Sequence, residues 1–391
     1  MSLLILTIFI FLIYLIYERI LINRWQKSIP MRICVTGTRG KSSVVRMLAS
    51  VLREDGRNLL AKTTGAEAKY ILPDGDEIEV SRRRITTIIE QKRLLKKAAA
   101  LNADCIVAEI MSLQPENHYI ETQQILKPNI VVITNVRLDH IDAMGGTKDE
   151  IASVLSLAIS KQAIVFVPDT ENRAIFQTTA ENVGGELISV GKGFSSSLQK
   201  THLKLDRLEF DDNIDITYAI AKYLNIDDKI IATGFYNTRH DIGQLKVWKY
   251  AIEDTKKICY FANGFAANDP QSTMQVILKI KEKFPSSAKK FIGLLNLRPD
   301  RADRTLQWIE ALNNGACNYF SRVFVLGVHS KIVKRKVKWV NILKEKSPEK
   351  MMKSILNEAA DQSMIFGFGN MGGAGKIFVE YWKRIGEEYG V

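Results

Sequence analysis

The chain has 391 residues, of which 46% are hydrophobic and 25% charged, and a formal net charge of +12. That composition excludes a disordered or low-complexity chain, and the length predicts two domains rather than one. Four scattered cysteines, Cys34, Cys105, Cys259 and Cys317, form no CxxC pair, which argues against a disulfide scaffold or zinc site and predicts buried free thiols.

In chain order, the first feature is an unbroken apolar and aromatic run from Leu3 to Ile16, with apolar character persisting to Ile22. Counted that far it is about 20 residues, or about 30 Å of helix. No small-residue cleavage site follows it and no positive charge precedes it, which speaks against a removable signal peptide. Arg19, Arg24, Lys27 and Arg32 lie just after it. The positive-inside rule then predicts a single-pass anchor over residues 1–24, in the cytoplasmic (inner) membrane, with the remaining domains in the cytoplasm.

After Pro30, Met31–Thr36 reads as a buried strand and Lys41–Arg53 as a helix, with Val44, Val45, Leu48, Val51 and Leu52 near helical spacing. Asp104–Glu109, Ile130–Val136 and Ile164–Val167 are further strands, and their alternation with helices predicts a parallel sheet covered on both faces. A second alternation follows, with strands at Ile258–Phe261, Phe291–Leu295, Val323–Leu326 and Met364–Phe366. The fold class is therefore α/β, with two domains expected at residues 30–245 and 255–391.

Between the first strand and helix lies Gly37-Thr38-Arg39-Gly40-Lys41-Ser42-Ser43. Glycines let backbone N–H groups approach phosphate oxygens, and a helix N-terminus adds partial positive charge. Lys41 would neutralise the outer phosphates of a nucleotide, and the Ser42 hydroxyl would ligate Mg²⁺. Val35 stands where the longer phosphate-loop pattern has its first glycine, leaving the shorter GxxGKS form. Glu109, at the C-terminal end of a parallel strand, is a second candidate Mg²⁺ ligand. His140, flanked by Asp139 and Asp142 beyond another strand, could build or orient a second cation site.

These motifs together resemble the Mur ligase family. The short loop preceded by threonine is similar to that family's loop, and Thr134-Asn135 through Asp139-His140-Ile141-Asp142 resembles its TNxxxDHxD signature. The resemblance implies ATP and Mg²⁺ as cofactors. It implies ATP contacts from Gly37, Thr38, Arg39, Gly40, Lys41, Ser42, Ser43 and Asn135, and metal contacts from Ser42, Glu109 and His140. It also places Lys62, Thr63 and Thr64 near the acceptor substrate. Two departures stand out. No lysine occupies Ser153–Ser156, where many Mur ligases carry a carbamylated one, and Asp241-Ile242-Gly243-Gln244 lacks the family's junction arginine.

In the second half, the run Phe261–Pro270, with Asn263, Asn268 and Asp269, is similar to the poly-γ-glutamate synthase ligase subunits. So is Asn296–Thr305, which carries Arg298, Arg301 and Arg304. Such arginines could clamp a carboxylate-rich substrate and offset charge on a transferring phosphoryl group. Gly367–Gly375 matches that family's glycine-rich turn. The resemblance implies a P-loop ATPase domain of the Mur-ligase central type, then a smaller Rossmann-like C-terminal domain. It implies catalysis by Lys41, Glu109, His140, Arg298, Arg301 and Arg304, and substrate contacts from Asn263, Asn268 and Asp269.

The implied activity is an ATP-dependent amide ligase that polymerises glutamate through an acyl phosphate. Its expected partners are glutamate, the growing poly-γ-glutamate chain, the membrane and other membrane subunits of a synthase and export complex. Another Mur-like amino-acid ligase, or a membrane-tethered ATPase or nucleotide switch, remain the alternatives. The basic clusters Arg82–Arg84 and Lys331, Lys334, Arg335, Lys336 and Lys338 come with no nucleic-acid-binding signature, so no nucleic-acid partner is expected.

Overall fold

A long helix leads into two α/β units in a computed structural model that describes residues 2–65, 67–82, 86–171, 173–201, 209–252, 255–284, 290–299, 301–345 and 347–389. Arg83, Arg84 and Asp300 lie outside the described residues. The first unit holds most of the chain up to His240, and the second holds Asp241 onward together with Glu209.

The first unit opens with α1 (Ser2–Ser28), β1 (Met31–Thr36), α2 (Lys41–Glu54) and β2 (Leu59–Thr63). There follow β3 (Lys69–Ile71), β4 (Glu77–Glu79), α3 (Ile89–Ala100) and β5 (Cys105–Glu109). α4 (Pro115–Tyr119) runs on as a wider π-turn over Ile120–Leu126, before β6 (Ile130–Ile133) and the short α5 (Ile141–Met144). The unit closes with α6 (Lys148–Ser156), β7 (Ile164–Pro168), α7 (Ala174–Asn182), β8 (Glu186–Val190), α8 (Asp211–Tyr223) and α9 (Asp228–Tyr236). Eight strands form one sheet in the order β4-β3-β2-β5-β1-β6-β7-β8. From β2 to β8 it is parallel, and β3 and β4 add an antiparallel edge. The expected parallel core is thus present, with a meander that polar strands of three residues do not advertise.

Alternation along the central strands covers both faces. Ile33 and Val35 of β1, and Cys105 and Val107 of β5, pack with Val44, Leu48 and Val51 of α2 and with residues of α8 and α9. Cys34, Ile106 and Ala108 point the other way, onto α3 and the root of α1. Each Val, Leu or Ile side chain among them, fully removed from water, contributes about 1.5–3 kcal/mol. The strand expected to reach Val136 stops at Ile133, because Thr134 and Asn135 turn out of the sheet to bind the phosphate loop.

The apolar helix changes environment partway along. Leu3 to Tyr17 stands clear, with exposures of 41–75% among its large apolar side chains, whereas Ile22 is 5% exposed and Ile29 fully buried. By length and composition α1 can cross a membrane, with a mean hydropathy of 2.3 over its most apolar window. Its C-terminal root is part of the first unit's core.

The second unit has β9 (Val247–Ala251), β10 (Ile258–Asn263), α10 (Pro270–Lys283), β11 (Lys290–Leu297) and α11 (Ala302–Asn313). It continues with β12 (Phe320–Gly327), α12 (Ser330–Lys336), β13 (Asn341–Ile342), α13 (Pro348–Glu358), β14 (Ser363–Phe368), α14 (Ala374–Ile385) and β15 (Glu387–Glu388). Seven strands lie in the order β13-β12-β11-β14-β10-β9-β15, parallel from β13 to β10 and antiparallel at β9 and β15. Aromatic side chains fill this core, with Trp308 and Phe368 edge to face and Phe320 stacked on Phe368. All four cysteines are free and buried.

Candidate active site

β1 delivers the chain into the loop at residues 37–40, and two glycines there have no alternative. Gly37 has φ +125°, and a Cβ on it would lie 2.2 Å from Thr134 Oγ1. Gly40 has φ +79°, and its Cβ would meet Asn213 Oδ1 at 2.4 Å. Both positions need the left-handed region and have no room for a side chain. Gly40 is also the N-cap of α2 and supplies no side-chain cap, so the first backbone N–H groups of that helix remain available to an anion.

The loop is stapled to the end of β6. Asn135 Oδ1 accepts from Thr38 Oγ1 at 2.6 Å and from Arg39 N–H at 3.0 Å, while Asn135 Nδ2 donates to Arg39 O at 3.0 Å. Thr134 Oγ1 donates to Arg39 O at 2.6 Å. Lys41 Nζ folds back to donate to Gly37 O at 2.7 Å. Burial lowers the Lys41 ammonium below its ordinary range, with the Glu109 charge opposing that shift.

Glu109 is 3% exposed, and its Oε2 accepts from Ser42 Oγ at 2.8 Å and from Thr64 N–H at 2.7 Å. The two hard oxygen donors proposed for a metal therefore sit side by side at the mouth of the loop. Such a pair suits Mg²⁺, which is commonly held by one or two protein oxygens with water and phosphate completing its shell. Among the described residues no group of three or more His, Cys, Asp or Glu side chains is disposed to hold a metal. His140 takes a left-handed backbone, with φ 49°. Its Nε2 lies 3.6 Å from Asp139 Oδ1, while Asp139 Oδ2 pairs with Arg39 at 2.9 Å. The structure thus joins His140 to the loop through Asp139 and Arg39.

Beneath Glu109 lies a buried polar layer in which Lys62, expected near the acceptor substrate, is joined by Glu90, Gln91 and Glu121, to which the sequence motifs assign no role. Lys62 is fully buried, and its Nζ meets Glu90 Oε2 at 3.1 Å. Burial lowers the Lys62 ammonium, and the Glu90 charge opposes it. Burial pushes the Glu90 carboxyl up, but hydrogen bonds from Arg82 and the Lys62 charge leave it below its ordinary range. Gln91 Nε2 spans Glu109 O at 3.1 Å and Glu121 Oε1 at 2.6 Å. Glu121 also accepts from the backbone of Met111 and Ser112 and from the Ser112 hydroxyl. One signal could have found this layer. Glu90 and Gln91 stand three to five positions before Leu94 and Leu95, on the helix face that the apolar residues mark as buried.

In the second unit Arg298, Arg301 and Arg304 line one small cleft with Asn268, Asn296 and Asn370, at the ends of β10, β11 and β14. Arg301 grips Asp303 with two bonds, at 3.1 and 3.0 Å. Arg304 is 6% exposed and donates to Gln307. Asn296 Nδ2 ties the strand end to the glycine-rich turn through Asn370 O at 2.8 Å and Gly372 O at 2.9 Å. Two residues expected at substrate also make internal bonds. Asn263 Nδ2 donates to Ile242 O and Gln244 O at 2.7 and 2.8 Å, and Asp269 caps α10 by accepting from Ser272 N–H at 2.8 Å.

Residues 35–237 match the Mur ligase middle domain, and residues 249–385 match the poly-γ-glutamate synthase CapB C-terminal domain. The chain belongs to the Mur ligase family. As a Mur ligase it is an ATP-dependent enzyme that makes amide bonds. It is 30% identical over 374 residues to PGA synthase CapB of Bacillus subtilis (strain 168), covering 92% of each chain. It is 34% identical over 305 residues to the capsule biosynthesis protein CapB of Bacillus anthracis, covering 77% of this chain and 64% of that protein. Solved structures of low identity share its fold. E. coli FolC in complex with DHPP and ADP has a TM-score of 0.68 at 13% identity, over 94% of this chain and 92% of that one. MurF from Acinetobacter baumannii has a TM-score of 0.61 at 16% identity, over 92% and 79%.

Proposed function

We infer that this Mur ligase polymerises glutamate into poly-γ-glutamate, using ATP and Mg²⁺ to pass through an acyl phosphate. The observation that carries the reading is the contact of Ser42 Oγ with Glu109 Oε2, 2.8 Å apart at the mouth of a helix-capped loop that carries Lys41. The second half matches the poly-γ-glutamate synthase CapB C-terminal domain and nearly the whole chain aligns with a PGA synthase, which supports glutamate as the substrate.

In the proposed reaction a terminal carboxylate oxygen of the growing chain attacks the γ-phosphorus of ATP, and the bond to the bridging oxygen of ADP breaks. The amine of an incoming glutamate then attacks the acyl carbon, expels phosphate and gives up its proton to solvent. Lys41 and the first N–H groups of α2 hold the phosphates in line, and this positioning with charge neutralisation supplies most of the acceleration. Bound by Ser42 and Glu109, Mg²⁺ supplies further neutralisation of the phosphate charge. Asn135 keeps the loop in shape, and His140 acts through Asp139 and Arg39. The cleft of Arg298, Arg301 and Arg304 offers paired guanidinium donors to the carboxylates of glutamate. Leu3–Tyr17 inserts in the cytoplasmic membrane, with the two units on the cytoplasmic side.

The test is ADP release by the detergent-solubilised full chain with Mg²⁺-ATP, screened against single amino acids and short γ-linked glutamate acceptors. Release that depends on glutamate and lengthens the acceptor supports the reading. ATP turnover indifferent to every amino acid, with partner membrane subunits supplied, overturns it in favour of a nucleotide switch.

A further inference from the structure

The way α1 leaves the first unit fixes which edge of that unit meets a membrane. Gln26 Nε2, at the root of α1, donates to Gln124 O and Ile125 O at 3.2 and 2.7 Å. Arg19 Nη1 reaches Gln124 O at 3.1 Å. Arg32 closes the joint, donating to Gln26 O and Ile29 O at 3.0 and 2.6 Å and to Leu126 O and Lys127 O at 3.1 and 2.9 Å. A root held by this many bonds and by buried Ile22 and Ile29 is no hinge. The apolar run passes straight into it, without a linker.

The direction follows from topology. α1 enters β1, and α3 enters β5, through short turns, and these two strands are parallel. Both helices bury residues in the same core layer, so they run side by side in the same sense, each antiparallel to its strand. The first turn of α3 sits at the edge that carries the candidate site, since Glu90 meets Lys62 and Gln91 meets Glu109 O. The next residue, Lys92, pairs with Glu18 of α1 at 2.9 Å. Glu18 is therefore level with the site edge, and Leu3–Tyr17 continues past it. In the first turn of α3 Ile89 is 49% exposed, an apolar side chain suited to the headgroup boundary.

We propose that the phosphate-loop edge of the first unit faces the bilayer, held against it by the docked root of α1, so that the amide bond forms at the membrane surface. This rests on the membrane insertion of Leu3–Tyr17 put forward above. The polyanionic product then leaves the site beside the lipid headgroups, while the opposite sheet edge, at the starts of β1, β5 and β7, faces the cytoplasm.

The buried native thiols allow a test with introduced surface cysteines. Glu116→Cys, in the first turn of α4, labels the site edge, and Leu101→Cys, at the end of α3, labels the opposite edge. Thr87→Cys and Lys161→Cys form a second pair should either of the first fail to fold. Each full-length variant is labelled with a donor dye and placed in phosphatidylcholine–phosphatidylglycerol vesicles that carry rhodamine on a headgroup. Energy transfer several-fold stronger from 116 than from 101, and from 87 than from 161, is expected. Equal or reversed transfer from protein that floats with the vesicles overturns the orientation and leaves the anchor intact. Protein that does not float with vesicles overturns the anchor, and the orientation with it.

Discussion

Both units set their polar residues at the C-terminal ends of parallel strands, yet they prepare them in opposite ways. In the first, the loop is locked by backbone geometry at Gly37 and Gly40 and by the bonds of Thr134 and Asn135, and Glu109 is held by two donors. In the second, the cleft is lined by long arginine side chains, and Arg301 spends its guanidinium on Asp303 within its own helix turn. The two sites divide the labour by rigidity. Phosphate binding by backbone N–H groups needs a loop that does not relax, whereas carboxylates can be met by guanidinium groups that exchange one partner for another.

That contrast breaks most sharply at Ser42 and Glu109, the pair proposed for Mg²⁺. Glu109→Ala should lower kcat by about 10²- to 10³-fold, since a charge stabiliser of the phosphoryl transfer is lost, while circular dichroism shows an intact fold. A loss below about tenfold would remove Glu109 from the site. The support beneath the edge comes next. Glu90→Ala leaves the Lys62 ammonium buried without its carboxylate, and stability measured by urea unfolding should fall by about 3–5 kcal/mol. Adding Lys62→Met to that variant should recover most of the loss.

In the second unit, Arg301→Ala should raise KM for glutamate by about 10- to 100-fold, the worth of one bidentate pair, with KM for ATP unchanged. An equal rise in both would erase the distinction between the units. A smaller effect concerns pH. Burial lowers the Lys41 ammonium below its ordinary value of 10.5, so in the free enzyme its charge is present below that lowered value and is lost as pH rises through it. kcat/KM for ATP should fall on this alkaline limb, and kcat should hold to higher pH because bound phosphates retain the proton.

What the sequence revealed follows the same line. The loop could be read because glycine, lysine and serine in strand-to-helix context have few other uses, and the central strands because apolar runs bounded by turns are buried. The resemblance puts Lys62 near the acceptor, but its burial and its pairing with Glu90 across the layer are not legible in a lysine beside two threonines. Asn263 and Asp269 read as substrate contacts on motif; the cap that Asp269 provides is legible in Asp269-Pro270 at a helix start, whereas the tether from Asn263 to Ile242 and Gln244 carries no sequence sign. The end of the free apolar helix was equally hidden. Ile22 resembles Leu15 in composition, and only packing against Leu94 and Leu95 separates core from rod.

The central claim, amide formation through an acyl phosphate, is tested most directly by supplying a γ-linked glutamate acceptor with ¹⁸O in its terminal carboxylates. The acceptor oxygen that attacks phosphorus must leave with the phosphate, so the account predicts labelled phosphate in proportion to the amide bonds formed. Amide formation with unlabelled phosphate would contradict it.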